Sequence, residues 1–292
     1  MKFSILVATY NQEKYIAETI NSCIFQEFKD YEILISDDCS SDGTWDIVTG
    51  FKNSKIRTFR HEKNIGEYKN RNFLLEKAIG EFVIFIDGED IIYPYALSFI
   101  ATFINQLPEA KIIVARAWDE NVIYPHFMDN FPYAKNQFIG YGQSALNFTQ
   151  LIFNREAIIA IGGFDNKEIK FGDAYIQLKM GLIHGVLLIP EGFSWWRRTK
   201  GQASEKYLQD QFLFFYEENK YIPSMIKDTK LLSKDEKKQA LINHYGNILR
   251  YCFKNLFSFQ IIKSISYLIK YKIPFVYYLS ALYFPKRNFY SN

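Results

Sequence analysis

The sequence predicts an α/β protein: a doubly wound, mostly parallel sheet with helices on both faces, followed by a C-terminal helical extension. Three observations carry this. Short apolar runs alternate with helically spaced stretches in the order β-α-β-α-β-α-β from Phe3 to Ile86. The run Phe82–Ile86 is short and bounded by Gly80 and Gly88, which suits a buried strand of a parallel sheet. The predicted strands end in polar loops, where open α/β sheets bind their ligands.

The elements follow in order. Phe3–Ala8 is the first strand, and Thr9-Tyr10-Asn11 its terminal loop. Ile16, Ile20 and Ile24 share one face of a helix over Tyr15–Phe25. Tyr31–Ser36 is a strand, and the turn formers from Asp37 to Thr44 cap a helix from Trp45 to Phe51. Strand Ile56–His61, helix Lys69–Ala78 and strand Phe82–Ile86 complete the alternation, and helix Pro94–Leu107 and strand Lys111–Arg116 follow. Residues 117–146 read as a long aromatic loop. Phe148–Asn154 reads as a strand, Glu156–Ile161 as a helix stopped by Gly162-Gly163, Asp173–Gly181 as a helix and Val186–Pro190 as a strand. From Leu208 the pattern is helical.

Composition narrows the class. The 292 residues suffice for one large domain or two smaller ones. Cys23, Cys39 and Cys252 have neither disulfide nor metal-ligand spacing, which points to a reducing, cytoplasmic compartment. The apolar stretch after Met1-Lys2 is too short for a signal sequence, and no stretch approaches the ~20 apolar residues of a membrane span. The net charge of +3 hides an asymmetry: after Glu236 there are nine basic residues and no acidic one, so the preceding chain is acidic. A basic tail predicts an anionic partner.

Phe82–Ile86 runs into Asp87, Glu89 and Asp90. Carboxylates this close repel one another unless a cation joins them, and hard oxygen ligands suit Mg²⁺ or Mn²⁺. The alternative is a solvated turn in which Asp90 caps the next helix. Polar loops at Thr9-Tyr10-Asn11, Asp37-Asp38, Asp87–Asp90 and around Asp173 converge on one sheet edge. Arg71 suits a diphosphate, or else a surface pair with Glu67 or Glu76. No Gly-x-Gly-x-x-Gly follows the first strand and there is no P-loop, which excludes dinucleotide and P-loop folds.

These residues together resemble the family 2 glycosyltransferases of the GT-A fold. The match runs through Ile5–Asn11, Glu32–Thr44, Asn64-Ile65-Gly66, Arg71-Asn72, Gly80-Glu81-Phe82, Asp87–Asp90, Gly162–Asp165 and Gly172-Asp173-Ala174, and covers about residues 2 to 205. The resemblance implies a glycosyltransferase domain over 1–207, with a nucleotide-binding half (1–110) and an acceptor half (111–207); the helical pattern beyond it marks a C-terminal extension (208–292). It implies an inverting transfer of one sugar from a nucleotide diphosphate donor, UDP-linked, to a glycan that is lipid-linked in surface polysaccharide assembly. Tyr10 would stack on the base and Asp38 would accept its ring N–H. Ala8, Thr9, Glu13 and Gly88 would line the nucleotide, and Arg71 would meet the diphosphate. Asp87 would contact the ribose of the nucleotide or, with Glu89, hold a divalent metal, and Asp173 would be the general base. The chain departs from the family at Ala8, where proline is common, at Glu89, where aspartate is common, and at Thr199, where many members have histidine.

Trp195, Trp196, Arg197 and Arg198 offer an acceptor platform, since aromatic faces pack on sugars and arginines grip phosphate; buried core tryptophans are the alternative. In the tail, Leu241, Tyr245, Leu249, Cys252 and Leu256 form one helical stripe, and Ile261, Ile265, Leu268 and Ile269 another. With basic flanks these fit a peripheral contact of residues 237–292 with the inner face of the cell membrane; packing on the protein or in a homodimer is the alternative. No nucleic acid is expected as partner. A sugar nucleotidyltransferase would want a Gly- and Arg-rich first loop, which Thr9–Gln12 is not. A non-catalytic glycan-binding or scaffold protein on the same fold is kept open by Glu89 and Thr199.

Overall fold

The structure is a computed structural model and describes residues 2–115, 122–140, 148–164, 172–199, 212, 216–217, 219–256, 261–274 and 277–278. Among the described residues the chain divides into two compact units, residues 1–129 with 145–198, and residues 130–144 with 199–292.

The first unit is built on an eight-stranded sheet of order β3-β2-β1-β4-β8-β6-β9-β7. Its strands are β1 (Phe3–Thr9), β2 (Tyr31–Asp37), β3 (Ile56–Arg60), β4 (Phe82–Asp87), β6 (Ile112–Ala115), β7 (His126–Met128), β8 (Leu151–Asn154) and β9 (Val186–Ile189). Strands β3, β2, β1 and β4 are parallel, β8 runs antiparallel between β4 and β6, and β7 is an antiparallel edge. The mostly parallel, doubly wound sheet expected from the sequence is therefore present. Alternate residues Ile5, Val7, Ile33, Ile35, Ile84 and Ile86 bury one face under α1 (Ile16–Ile24), α2 (Thr44–Gly50) and α4 (Ala96–Gln106). The other face receives α3 (Glu67–Lys77), whose Leu74 and Leu75 are buried. α6 (Arg155–Ala160) and α7 (Gly172–His184) complete the unit.

Register matters most for function. Thr9 pairs with Asp37, and Ala8 with Asp87, so β1, β2 and β4 finish at one level. The polar loops thus emerge side by side because the strands that carry them are in step.

Several expectations are corrected. Asp90 caps no helix: it precedes β5 (Ile91–Ile92), and α4 starts at Ala96. β5 pairs with β10 (Ser194–Trp195) in a separate ribbon. Phe148–Gln150 is a turn of 3-10 helix that precedes β8, because its side chains pack rather than alternate. The stretch 117–146, read as loop, contains β7 and α5 (Asn130–Phe138), whose Tyr133, Ala134 and Phe138 are buried at helical spacing. Arg116, Trp118 and Tyr141 lie outside the described residues.

α5 belongs to the second unit. That unit also contains α8 (Ile222–Asp228), α9 (Lys234–Leu256) and α10 (Ile261–Tyr271). Lys135 on α5 pairs with Glu236 on α9 at 2.8 Å. The stripe Leu241, Tyr245, Leu249 and Cys252 is buried and forms the core. α10 inverts the usual pattern. Ser264 and Tyr267 face inward, the tyrosine edge-on to Tyr216, whereas Ile265 and Ile269 are 49% and 71% exposed.

Candidate active site

The first loop is laced to the second. Asn11 adopts left-handed backbone (φ 53°), its N–H donates to Ser40 Oγ at 2.9 Å, and its Oδ1 accepts the Ser41 N–H at 2.9 Å. The Gln12 N–H donates to Thr44 Oγ1 at 2.7 Å, and Glu13 Oε2 accepts the Gly43 N–H at 2.8 Å. Glu13, expected at the nucleotide, is thus a brace between loops. Tyr10 stands at the rim, 47% exposed, with a face open to a flat ring.

Asp37 and Asp38 have different tasks. Asp37 is buried, accepts the Ser40 N–H at 3.0 Å and pairs with Arg60 at 3.3 Å. Asp38 accepts the N–H groups of Ile65 and Gly66 at 2.8 and 2.9 Å, one on each oxygen. It therefore fixes the entry to α3, and a base N–H would share oxygens already in use.

α3 holds the centre. Arg71 is 1% exposed, so it is not the surface arginine that the sequence left open. Its Nε and Nη2 donate to Glu67 Oε1 at 3.2 and 3.1 Å, Nη2 also pairs with Asp87 Oδ1, and the guanidinium lies 4.0 Å from the Phe148 ring centroid. Burial opposes its charge, but Asp87 and Glu67 outweigh that and raise its proton affinity. Nη1 is buried with no partner in the protein. In this arrangement Arg71 fixes Asp87 instead of offering an open fork.

The turn after β4 is tight. A Cβ on Gly88 would lie 2.5 Å from Thr9 Oγ1, so only glycine lets the turn close on β1. Glu89 is mostly buried. Asp90 is fully buried; its Oδ1 accepts the Arg197 N–H at 3.0 Å and its Oδ2 has no partner in the protein. Burial and the Asp87 charge hold its carboxyl well above the usual carboxylate range.

A divalent cation fits this donor set in one way. Asp87 Oδ2 lies outside the Arg71 pair, and Glu89 adds a second hard carboxylate. Among the described residues no three such side chains form a ready-made cage. Two carboxylates completed by phosphate oxygens is an ordinary way to hold Mg²⁺ or Mn²⁺ beside a nucleotide.

Arg197, expected at the acceptor, is engaged by the acidic turn and α1. Its Nε donates to the Glu89 carbonyl at 2.9 Å, its Nη2 pairs with Glu18 at 2.6 Å, and it stacks 4.4 Å from the Tyr15 ring. It staples the acidic turn to α1. Trp195 is 46% exposed beside that turn, half-buried Trp196 lies under the exposed Arg198 guanidinium, and neither tryptophan is a core residue.

Asp173 lies in the first turn of α7, partly buried, and its Oδ1 accepts the Ala174 N–H at 2.8 Å. Burial, helped by Glu67, pushes its carboxyl up to about 6, against the Ala174 N–H and Arg71. Glu67 and Arg71 thus act on Asp173, and Arg71 pairs with Asp87 as well. Sequence reasoning missed Tyr68, whose hydroxyl accepts the Gly172 N–H at 2.9 Å, and Asn72, which exchanges two 2.9 Å hydrogen bonds with the Phe164 backbone. No local pattern reveals contacts across such separations, although Glu67 four residues before Arg71 was legible.

The family model described as "Glycosyl transferase family 2" matches residues 4–162. The chain belongs to this family. Among family 2 relatives, it is 43% identical over 110 residues to the poly(ribitol-phosphate) beta-N-acetylglucosaminyltransferase TarS of Staphylococcus aureus, covering 36% of this chain and 19% of that enzyme. It is 38% identical over 87 residues to the Escherichia coli enzyme UDP-Glc:alpha-D-GlcNAc-diphosphoundecaprenol beta-1,3-glucosyltransferase WfaP, covering 30% of this chain and 35% of that one. The matches thus span between a fifth and about a third of these relatives' lengths. In three dimensions the chain is similar to S. aureus TarS 1-349 in complex with UDP-GlcNAc, with a TM-score of 0.71, 22% identity, and coverage of 94% of this chain and 82% of that one. The GT-A fold expected from the resemblance is borne out.

Proposed function

We propose that the chain is an inverting glycosyltransferase that moves one sugar from a UDP-linked donor to a glycan acceptor, lipid-linked in surface polysaccharide assembly. The observation that carries this reading is Asp173: a partly buried carboxyl whose proton affinity is raised toward neutrality, within electrostatic reach of the Glu67–Arg71 pair that also holds Asp87 at the strand ends. The names of the relatives support donor and acceptor: TarS is seen with UDP-GlcNAc, and WfaP is named for a UDP-glucose donor and a diphosphoundecaprenol-linked acceptor.

In the reaction the acceptor oxygen attacks the anomeric carbon from the face opposite the diphosphate. The carbon–oxygen bond to the diphosphate breaks and the diphosphate leaves with the electron pair. The acceptor proton passes to Asp173, a contribution of roughly 10²–10⁴-fold. Tyr10 faces the base, Arg71 holds Asp87 in place, and Trp195 and Trp196 offer the acceptor an aromatic surface. A cation at Asp87 and Glu89 would supply charge stabilisation for the departing diphosphate. A PcManGT neighbour of similar fold (TM-score 0.55) was solved with GDP-Man and Mn2+.

The test is a thermal-shift screen of UDP-N-acetylglucosamine, UDP-glucose and GDP-mannose with and without Mn²⁺, followed by UDP release for the stabilising donor. Binding to the native state stabilises it by RT ln(1 + [L]/Kd). Asp173→Asn should keep the donor-induced shift and lose roughly 10²-fold or more in turnover. An Asn variant with full turnover removes the base from the mechanism.

The second unit we read as a peripheral membrane contact. Ile265 and Ile269 project from α10 while Ser264 and Tyr267 face inward, and Lys270 and Lys272 are exposed. Outward aliphatics with basic neighbours suit the surface of an anionic bilayer. Among the described residues no helix is long and apolar enough to cross a membrane.

A further inference from the structure

Between Glu67 and Arg71 on α3 stands Tyr68, which the mechanism above leaves without a task. Its hydroxyl accepts the N–H of Gly172, the residue before Asp173, at 2.9 Å. A Cβ on Gly172 would lie 2.6 Å from the Tyr68 ring, so a glycine there lets α7 settle directly onto it. The ring is itself held. It stacks on Phe164 with centroids 6.2 Å apart and meets Phe148 edge-on at 6.4 Å. Phe164 is fixed by its two hydrogen bonds to Asn72, and Phe148 is the ring beneath Arg71.

We propose that Tyr68 is a positioning residue for Asp173, holding the start of α7 by hydroxyl and ring so that the helix carrying Arg71 also sets where the base stands; this rests on the reading of Asp173 as the base. One rigid stack then connects the donor end of the site to the carboxylate that acts on the acceptor. A misplacement of about 1 Å in such a group costs on the order of 10²-fold in rate. The charged groups acting on Asp173 are Glu67 and Arg71, and Asp173 in turn acts on Tyr68. Burial and Glu67 keep the Tyr68 hydroxyl protonated far above neutral pH, so it acts by position and not by charge.

The test uses the full chain, UDP release from UDP-N-acetylglucosamine or UDP-glucose with water as acceptor, and calorimetric donor affinity. Tyr68→Phe keeps the ring and removes the hydroxyl. Its turnover should fall about tenfold while donor affinity stays within about twofold and the acid limb of the rate profile keeps its midpoint. In an Asp173→Asn background the same change should have no further effect, because both substitutions remove one function. Gly172→Ala, which drives a methyl group into the ring from the other side, should reproduce the loss. An active Asp173→Asn variant overturns the base reading and this proposal with it. If Asp173→Asn is inactive, two results overturn the Tyr68 role alone: Tyr68→Phe with parental turnover and only a lower melting temperature, or an equal loss in both backgrounds.

Discussion

Asp173 shows how one carboxyl is tuned by its neighbours. An isolated aspartate titrates near 4 and is a weak base at neutral pH. Partial burial and Glu67 raise this one to about 6, so the rate should climb with pH through about 6 and level off above. The same shift affects stability with a fixed sign. The folded chain holds this proton more tightly than the unfolded chain, so its contribution to stability is lost as pH rises from about 4 to about 6. Asp173→Asn should therefore melt at or above the parent at pH 7.5 and lose that advantage below pH 4. Melting curves across pH check this, and an Asn variant less stable at pH 7.5 would contradict the assigned environment. Residue identity was legible here because the motif Gly172-Asp173-Ala174 stands in the sequence. The proton affinity was not, since it depends on Glu67 and burial, which only the fold supplies. Asp165, at the end of the Gly162–Asp165 motif, lies outside the described residues.

At the scale of elements, α3 and the β4 turn were read correctly in place and incompletely in role. Periodicity located both, because alternating apolar runs state which segments pair. It did not state that Arg71 turns inward onto Asp87 and Phe148, since a single arginine on a helix has the same pattern whether it faces water or a carboxylate. Nor did it show that Arg197 closes on the acidic turn from a distant strand. The long stretch before β8 was misjudged because α5 has weak helical spacing and a Pro near its start. Gly88 tests the β4 turn. Gly88→Ala places a methyl group against Thr9, and β4 must shift from β1 at the level where Asp87 stands. The expected result is a folded protein with donor affinity lowered about tenfold or more; unchanged affinity would mean the turn has slack that the 2.5 Å approach denies.

For the whole molecule, the charge asymmetry of the sequence acquired a location. The first tail stripe proved to be the core of the second unit, so removing the tail would unfold that unit and test nothing about membranes. The second stripe faces outward at Ile265 and Ile269. Ile265→Ser/Ile269→Ser should leave the melting temperature nearly unchanged and weaken binding to vesicles containing anionic phosphatidylglycerol, in an interaction that fades with salt. If the parent ignores such vesicles at low salt, α10 faces another protein surface.

The staple made by Arg197 also concerns how the protein is made. Asp90 receives the Arg197 N–H across 107 residues of chain, and the Glu89 carbonyl receives its side chain across 108. A ribosome adding roughly 5–20 residues per second needs on the order of 5–20 s to supply that partner. The strands that present the acidic turn are synthesised early, and the contacts that Arg197 makes to that turn cannot form until the end of the first unit has been synthesised. The contacts that close the acidic turn are thus the last of the first unit to become possible as the chain is made.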